Sequence, residues 1–236
     1  MKRLVWTLGL TLWASFAAVQ TAMPSAVGQS IAELVQPTQI ARQSPSILDR
    51  KVAHFELQDA TLANGVSRLS GLSMADLHLG FEEVLRADWA DAPVQVEFSM
   101  SMEDKTVREI LDALCERDSR YAWSVDGSTV NIYPRNDHTE PEFLLNQELR
   151  HIEFMNVDDA YSALTPLARI LPKEQIGYAG VGGSPDFSKP WSGKFDNLTV
   201  RQYVNRIAEH LGTHGGWMLS GAKDQRFFFF YSTSFR

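Results

Sequence analysis

Asp104-Lys-Thr-Val-Arg-Glu-Ile-Leu-Asp-Ala-Leu-Cys-Glu116 and Asn197-Leu-Thr-Val-Arg-Gln-Tyr-Val-Asn-Arg-Ile-Ala-Glu209 carry one pattern twice. Thr106, Val107, Arg108 and Glu116 recur as Thr199, Val200, Arg201 and Glu209 at a fixed spacing. A Trp follows each stretch, at Trp123 and Trp217, and upstream His54-Phe-Glu-Leu57 recurs as His151-Ile-Glu-Phe154. An echo at fixed spacing marks one supersecondary unit used twice. Each stretch opens with a capping box, Thr106-Val-Arg-Glu109 or Thr199-Val-Arg-Gln202, in which the Thr oxygen accepts the third helical amide and the Glu or Gln reaches back. Val107, Ile110, Leu111 and Leu114 then form one apolar stripe, as do Val200, Tyr203, Val204 and Ile207. Two helices are therefore expected, the second ending at Gly212.

Working outward, Phe55 and Leu57 alternate with polar neighbours as in a short strand. Leu62, Val66 and Leu69 return at helical spacing up to Gly71. Leu77, Leu79 and Phe81 alternate again, as do Val94, Val96 and Phe98. Each capped helix leads into a hairpin. In the first, Tyr121, Trp123 and Val125 turn at Asp126-Gly127 and return through Val130 and Ile132. In the second, Trp217 and Leu219 turn at Ser220-Gly221 and return through Phe227 to Tyr231. Five aromatics in a row point to both faces of a strand, so both faces are expected to be covered.

The fold expected is α+β, two tandem βαββαββ units with two helices packed on short sheets. Unit 1 spans 51–135 and unit 2, which diverges through a Gly/Pro-rich middle, spans 149–236; 29–50 and 136–148 read as polar linkers. Residues 1–28 read as a signal peptide: Lys2 and Arg3, then an uncharged apolar run from Leu4 to Phe16, then small residues. No membrane span is expected after its removal. The chain is acidic, with a net charge of −7, so attraction to nucleic acid is not expected. Cys115 is the only cysteine, so no internal disulfide forms.

The strand, helix, strand, strand, capped helix and hairpin order, carried by Phe55-Glu-Leu57, Leu62, Leu69, Val94–Met102, Thr106–Leu114, Tyr121–Gly127 and Thr129–Tyr133, resembles the secretin and TonB-receptor N-terminal short domain, STN. The likeness covers 52–134 well and 149–233 more loosely. It implies a small periplasmic α+β module that makes protein–protein contacts with components of inner- or outer-membrane complexes. That family brings no catalytic residues and no cofactor.

The residues themselves offer little chemistry. His210 and His214 have a helical metal-ligand spacing, but Gly212, Gly215 and Gly216 break the helix and no third ligand is evident. The Gly177–Gly183 stretch has the composition of a phosphate loop without the helix that such a loop needs, and reads as a flexible loop. Cys115 lies in the C-terminal half of a helix, where the dipole disfavours a thiolate, and reads as a packing residue. His54 and His151 read as matched outward strand positions. Trp123 and Trp217 read as core. Trp89, Trp191, Phe227, Phe229 and Tyr231 are the candidates for partner contact, the last three on a strand that is either central or completed by a partner. No catalytic set, metal site or cofactor fingerprint stands out. The function expected is a non-enzymatic adaptor in the periplasm or cell envelope, and the alternative is a small-ligand or glycan binder with a cleft between the units, lined by Trp191 and the Gly loop.

Overall fold

A computed structural model describes residues 46–232, apart from 73–76, 88–90, 92–94, 172–175, 179–184, 213–214 and 224. The proposed signal peptide, Trp89 and His214 therefore lie outside the described residues, as does most of the Gly-rich stretch. The fold is α+β, and one order of elements runs through it twice. The first pass is β1 (Lys51–Thr61), α1 (Leu62–Ser70), β2 (His78–Glu82), β3 (Glu97–Thr106), α2 (Val107–Arg117), β4 (Tyr121–Asp126) and β5 (Thr129–Pro134). After a short helix, α3 (Arg135–His138), the second is β6 (Glu148–Asp159), α4 (Ala160–Ile170), β7 (Ile176–Tyr178), β8 (Asp186–Thr199), α5 (Val200–His210), β9 (Gly215–Gly221) and β10 (Arg226–Ser232).

Each pass contains a long antiparallel ribbon, β1 with β3 or β6 with β8, and each of its strands runs into a capped helix. Thr61, Thr106 and Thr199 close complete capping boxes with Asn64, Glu109 and Gln202. Asp159 caps α4 by accepting from the amides of Tyr161 and Ser162, both at 2.9 Å. The ribbons bend at matched places. Asp59, Asp104, Asn156 and Asn197 take left-handed backbone at φ 43°, 51°, 51° and 54°, a conformation that Asp and Asn tolerate better than other side-chain-bearing residues. At two of these bends a strand-partner serine takes the freed amide: Asp59 donates to Ser99 Oγ at 2.9 Å and Asn156 to Ser192 Oγ at 2.8 Å. The ribbon β6–β8 absorbs Pro190 at a register shift between Val157 and Asp159, where the ladder has no need of that amide. That is why the Gly/Pro-rich middle still yields a long strand.

The remaining strands form one six-stranded sheet in the order β4-β5-β2-β9-β10-β7. Its centre is the parallel pairing of β2 with β9, so the first pass hands its edge strand to the second. Two apolar cores flank the sheet. Phe55, Val66, Leu69, Leu79, Phe81, Ile110, Leu114, Val130 and Ile132 pack on the first pair of long helices. Ile152, Leu164, Leu167, Tyr203, Val204, Ile207, Trp217, Leu219, Phe228 and Phe230 pack on the second. Leu79 and Phe81 enter the first core, whereas the next residue in line, Gly80, lies against Trp217 of the second. Strand side chains alternate, so the two cores lie on opposite faces of the sheet, and β2 is buried on both faces.

The two stretches read as linkers contribute to these cores. Leu48 is buried in a 3-10 turn, Ile47–Asp49, and Phe143, Leu144 and Leu145 are buried ahead of β6. Their polar surroundings masked short apolar anchors. The segment from Asn136 to Glu148 is further tied by Asn146, whose Nδ2 donates to the carbonyls of Asp137, His138 and Glu140 at 3.2, 3.0 and 2.7 Å.

Candidate interaction surfaces

The junction between the two passes holds an extended polar network. Helix α5 presents Arg201, Asn205 and Glu209 in successive turns, the first to β2, the second to β9 and the last to the β4–β5 turn. Arg201 forms a two-pronged ion pair with Glu82 of β2, Nε to Oε1 at 2.6 Å and Nη2 to Oε2 at 2.9 Å. Its Nη1 donates to Asn146 Oδ1 at 2.6 Å, and its guanidinium lies 6.0 Å from the centre of the Tyr133 ring. Glu82 is fully buried, and burial lifts its carboxyl above the usual range while Arg201 pulls it back. Asn205 accepts from Trp217 Nε1 at 2.8 Å and donates to Asp126 Oδ2 at 3.1 Å. Glu209 accepts from the amide and hydroxyl of Ser128 at 3.3 and 2.7 Å. Gly80 is required where β2 passes Trp217, because a Cβ there would meet the indole at 2.6 Å. None of these contacts was foreseen. Glu82 and Arg201 are remote in sequence, and only the recurrence of Arg108 as Arg201 hinted that this position matters.

The aromatic candidates separate by place. Strand β10 is interior: β9 flanks it along its length and β7 flanks Arg226 to Phe228. Phe228 and Phe230 are buried, while Phe227, Phe229 and Tyr231 are half-buried on the opposite face. The expectation that both faces of this strand are covered is met fully on the face under the second core and in part on the other, where Phe227, Phe229 and Tyr231 are half-buried and Tyr231 lies near Ser67 and Ser70 of α1. Tyr231 borders an apolar hollow of about 320 Å³ that also touches Ala63, Val66, Ser67, Ser70, Phe81 and Met218, and its hydroxyl donates to the Leu79 carbonyl at 3.3 Å. Trp191, a candidate for partner contact, stands half-buried on β8 of the two-stranded ribbon, packed against the second core in an aromatic cluster. It meets Phe154 edge-on at 4.7 Å and stacks on His210 at 4.3 Å. His210 is thus a ring in an apolar stack, and burial pulls its pKa down.

The titratable groups behave as packing or surface groups. Cys115 is buried, and desolvation pushes its thiol up to about 12. His54 Nδ1 lies 2.6 Å from Glu103, with Glu56 at 3.3 Å. His151 lies 2.6 Å from Asp196, with Glu153 at 3.5 Å. These carboxylates raise both exposed imidazoles above their ordinary value. Among the described residues, no group of three or more His, Cys, Asp or Glu could hold a metal ion, and no helix is long and apolar enough to cross a membrane.

Comparison of the chain with protein-family models, with curated proteins and with solved structures found no match in any of the three.

Proposed function

We propose that this chain is a non-enzymatic interaction module of the bacterial cell envelope, built from two units similar to the secretin and TonB-receptor short domain. It acts as an adaptor that binds another envelope protein. The observation that carries the reading is the β2–β9 junction: one pass through the element order engages the other by lending it a parallel strand. A unit that completes a sheet across its own duplicate has the chemistry needed to complete one across a partner. Among the described residues, the hollow beside Tyr231 is lined by apolar and hydroxyl-bearing side chains with no convergent charged groups, which suits contact rather than catalysis. The charged-then-apolar N-terminal sequence supports export.

The test is to recover the protein from its own cells by envelope fractionation and gentle crosslinking. The expected result is an exported chain, shortened by removal of the first 17 to 28 residues, in a complex of fixed stoichiometry with a second envelope protein. A full-length cytosolic product, or an exported chain with no stoichiometric partner, contradicts the reading.

A further inference from the structure

The six-stranded sheet ends at β4, and β4 occupies in the first pass the place that β9 occupies in the second. The correspondence extends to side chains. Trp123 Nε1 donates to Asp112 at 2.8 Å, just as Trp217 donates to Asn205 at 2.8 Å. Arg108, Asp112 and Glu116 stand on α2 where Arg201, Asn205 and Glu209 stand on α5. The two sites differ in what covers them. Trp217 and Leu219 are both 0% exposed beneath the junction, whereas Trp123 is half-buried and Val125 is 49% exposed. Among the described residues, no strand pairs with the outer edge of β4. Between the C-terminal half of α2 and the start of β4 lies an open hollow of about 620 Å³, touched by Asp112, Glu116, Ser119, Ala122, Trp123 and Arg135.

From this correspondence, and resting on the adaptor reading above, we infer that the α2–β4 ledge is the docking site for one extended segment of a partner protein. The segment runs parallel to β4, with a glycine or other small residue opposite Trp123 and an acidic residue two positions later for Arg108. The occupied copy of the site dictates this chemistry. There, Gly80 pairs with Trp217, and Glu82 pairs with Leu219 while its carboxylate reaches Arg201. Transferred to the first pass, the same register sets the small residue against Trp123 and the acid beside Val125, within the sweep of the Arg108 side chain. Arg108 is half-exposed, 3.7 Å from Asp49 and 5.8 Å from the centre of the Trp123 ring, so its charge is held over the ledge without a tight partner. A parallel strand satisfies the open edge of β4, and the small-x-acid pattern selects among strands.

The chain supplies its own probe, a synthetic peptide of residues 77–84, Leu-His-Leu-Gly-Phe-Glu-Glu-Val. Binding of the labelled peptide to the full mature chain is followed by anisotropy, and the site is read from the Trp123 indole and the amides of Trp123 and Val125, which alternate away from β5, by NMR. Saturable binding tighter than about 1 mM is expected, with shifts confined to β4 and α2. Replacing the peptide's Glu82 by Gln, or its Gly80 by Val, should weaken binding about tenfold or more. The chain carrying Arg108→Ala should bind the native peptide about tenfold more weakly, yet bind the Gln peptide no worse than the unaltered chain does. No binding at about 1 mM, binding indifferent to these changes, or concentration-dependent self-association through β4 with no peptide site would overturn the inference. In each of those cases, a persisting envelope complex leaves the adaptor reading standing, so the two fail separately.

Discussion

Replacing Arg201 by Met strips the junction of its buried cation and leaves the Glu82 carboxylate facing an apolar side chain. The carboxylate is fully buried and takes both of its charged hydrogen bonds from Arg201, at 2.6 and 2.9 Å. Removing one partner of such a pair costs about 3–5 kcal/mol, because the remaining charge has lost its compensation. Asn146 Oδ1 also loses its 2.6 Å donor. Replacing both partners together, Glu82→Leu with Arg201→Met, should recover more than half of that loss, since a well-packed apolar pair is often no less stable than a buried ion pair. Denaturant unfolding at neutral pH of the two single variants and the double variant measures the coupling. The pH dependence adds a sign. The folded-state pKa of Glu82 is raised, so the stability linked to its proton is complete below the ordinary carboxyl pKa and is lost as pH rises through the folded value. Without Arg201 the pKa rises further. The deficit of Arg201→Met should therefore be smallest near pH 4 and grow toward neutrality. A deficit below about 1 kcal/mol at neutral pH, or one independent of pH, would refute the claim that this pair is buried and carries the junction.

Three further outcomes follow from single contacts. Thr106→Ala and Thr199→Ala each remove a cap acceptor and should each cost about 0.5–2 kcal/mol in unfolding free energy; unchanged midpoints would dismiss the boxes. Cys115, with its thiol pushed up to about 12, should react with a thiol reagent in the native chain far more slowly than in denaturant, and equal rates would contradict its burial. His54 and His151 should titrate by NMR above the ordinary imidazole value, and Glu103→Gln should lower His54 alone. The stability linked to these raised groups is present below the unfolded imidazole pKa and fades as pH passes the folded one.

Much of this architecture can be read locally, and what cannot depends on distant partners. The boxes at Thr106 and Thr199, the α1 stripe of Leu62, Val66 and Leu69, and the Asp126-Gly127 turn are visible because caps, stripes and turns are set by neighbours in sequence. The junction is invisible by the same logic. Strand β2 reads as a half-buried alternation, with His78, Gly80 and Glu82 outward, yet α5 covers that face as well. A buried Glu82 makes sense only once Arg201 is placed above it. Trp191 reads as a contact residue, yet the bulged ribbon leaves its indole half-buried against Phe154 and His210, partners too remote in sequence to be read locally. The open ledge at β4 emerges only from comparing two copies of one site, one filled and one not.

The most direct test of partner binding through sheet extension is a photo-crosslinking amino acid placed at Ala122 on β4, in the chain expressed in its own cells. The account expects one predominant crosslinked envelope protein, joined through an extended small-x-acid segment, and loss of that product when Arg108 is changed to Glu. Crosslinks that are absent, that join only copies of this chain, or that survive the Arg108 change would contradict it.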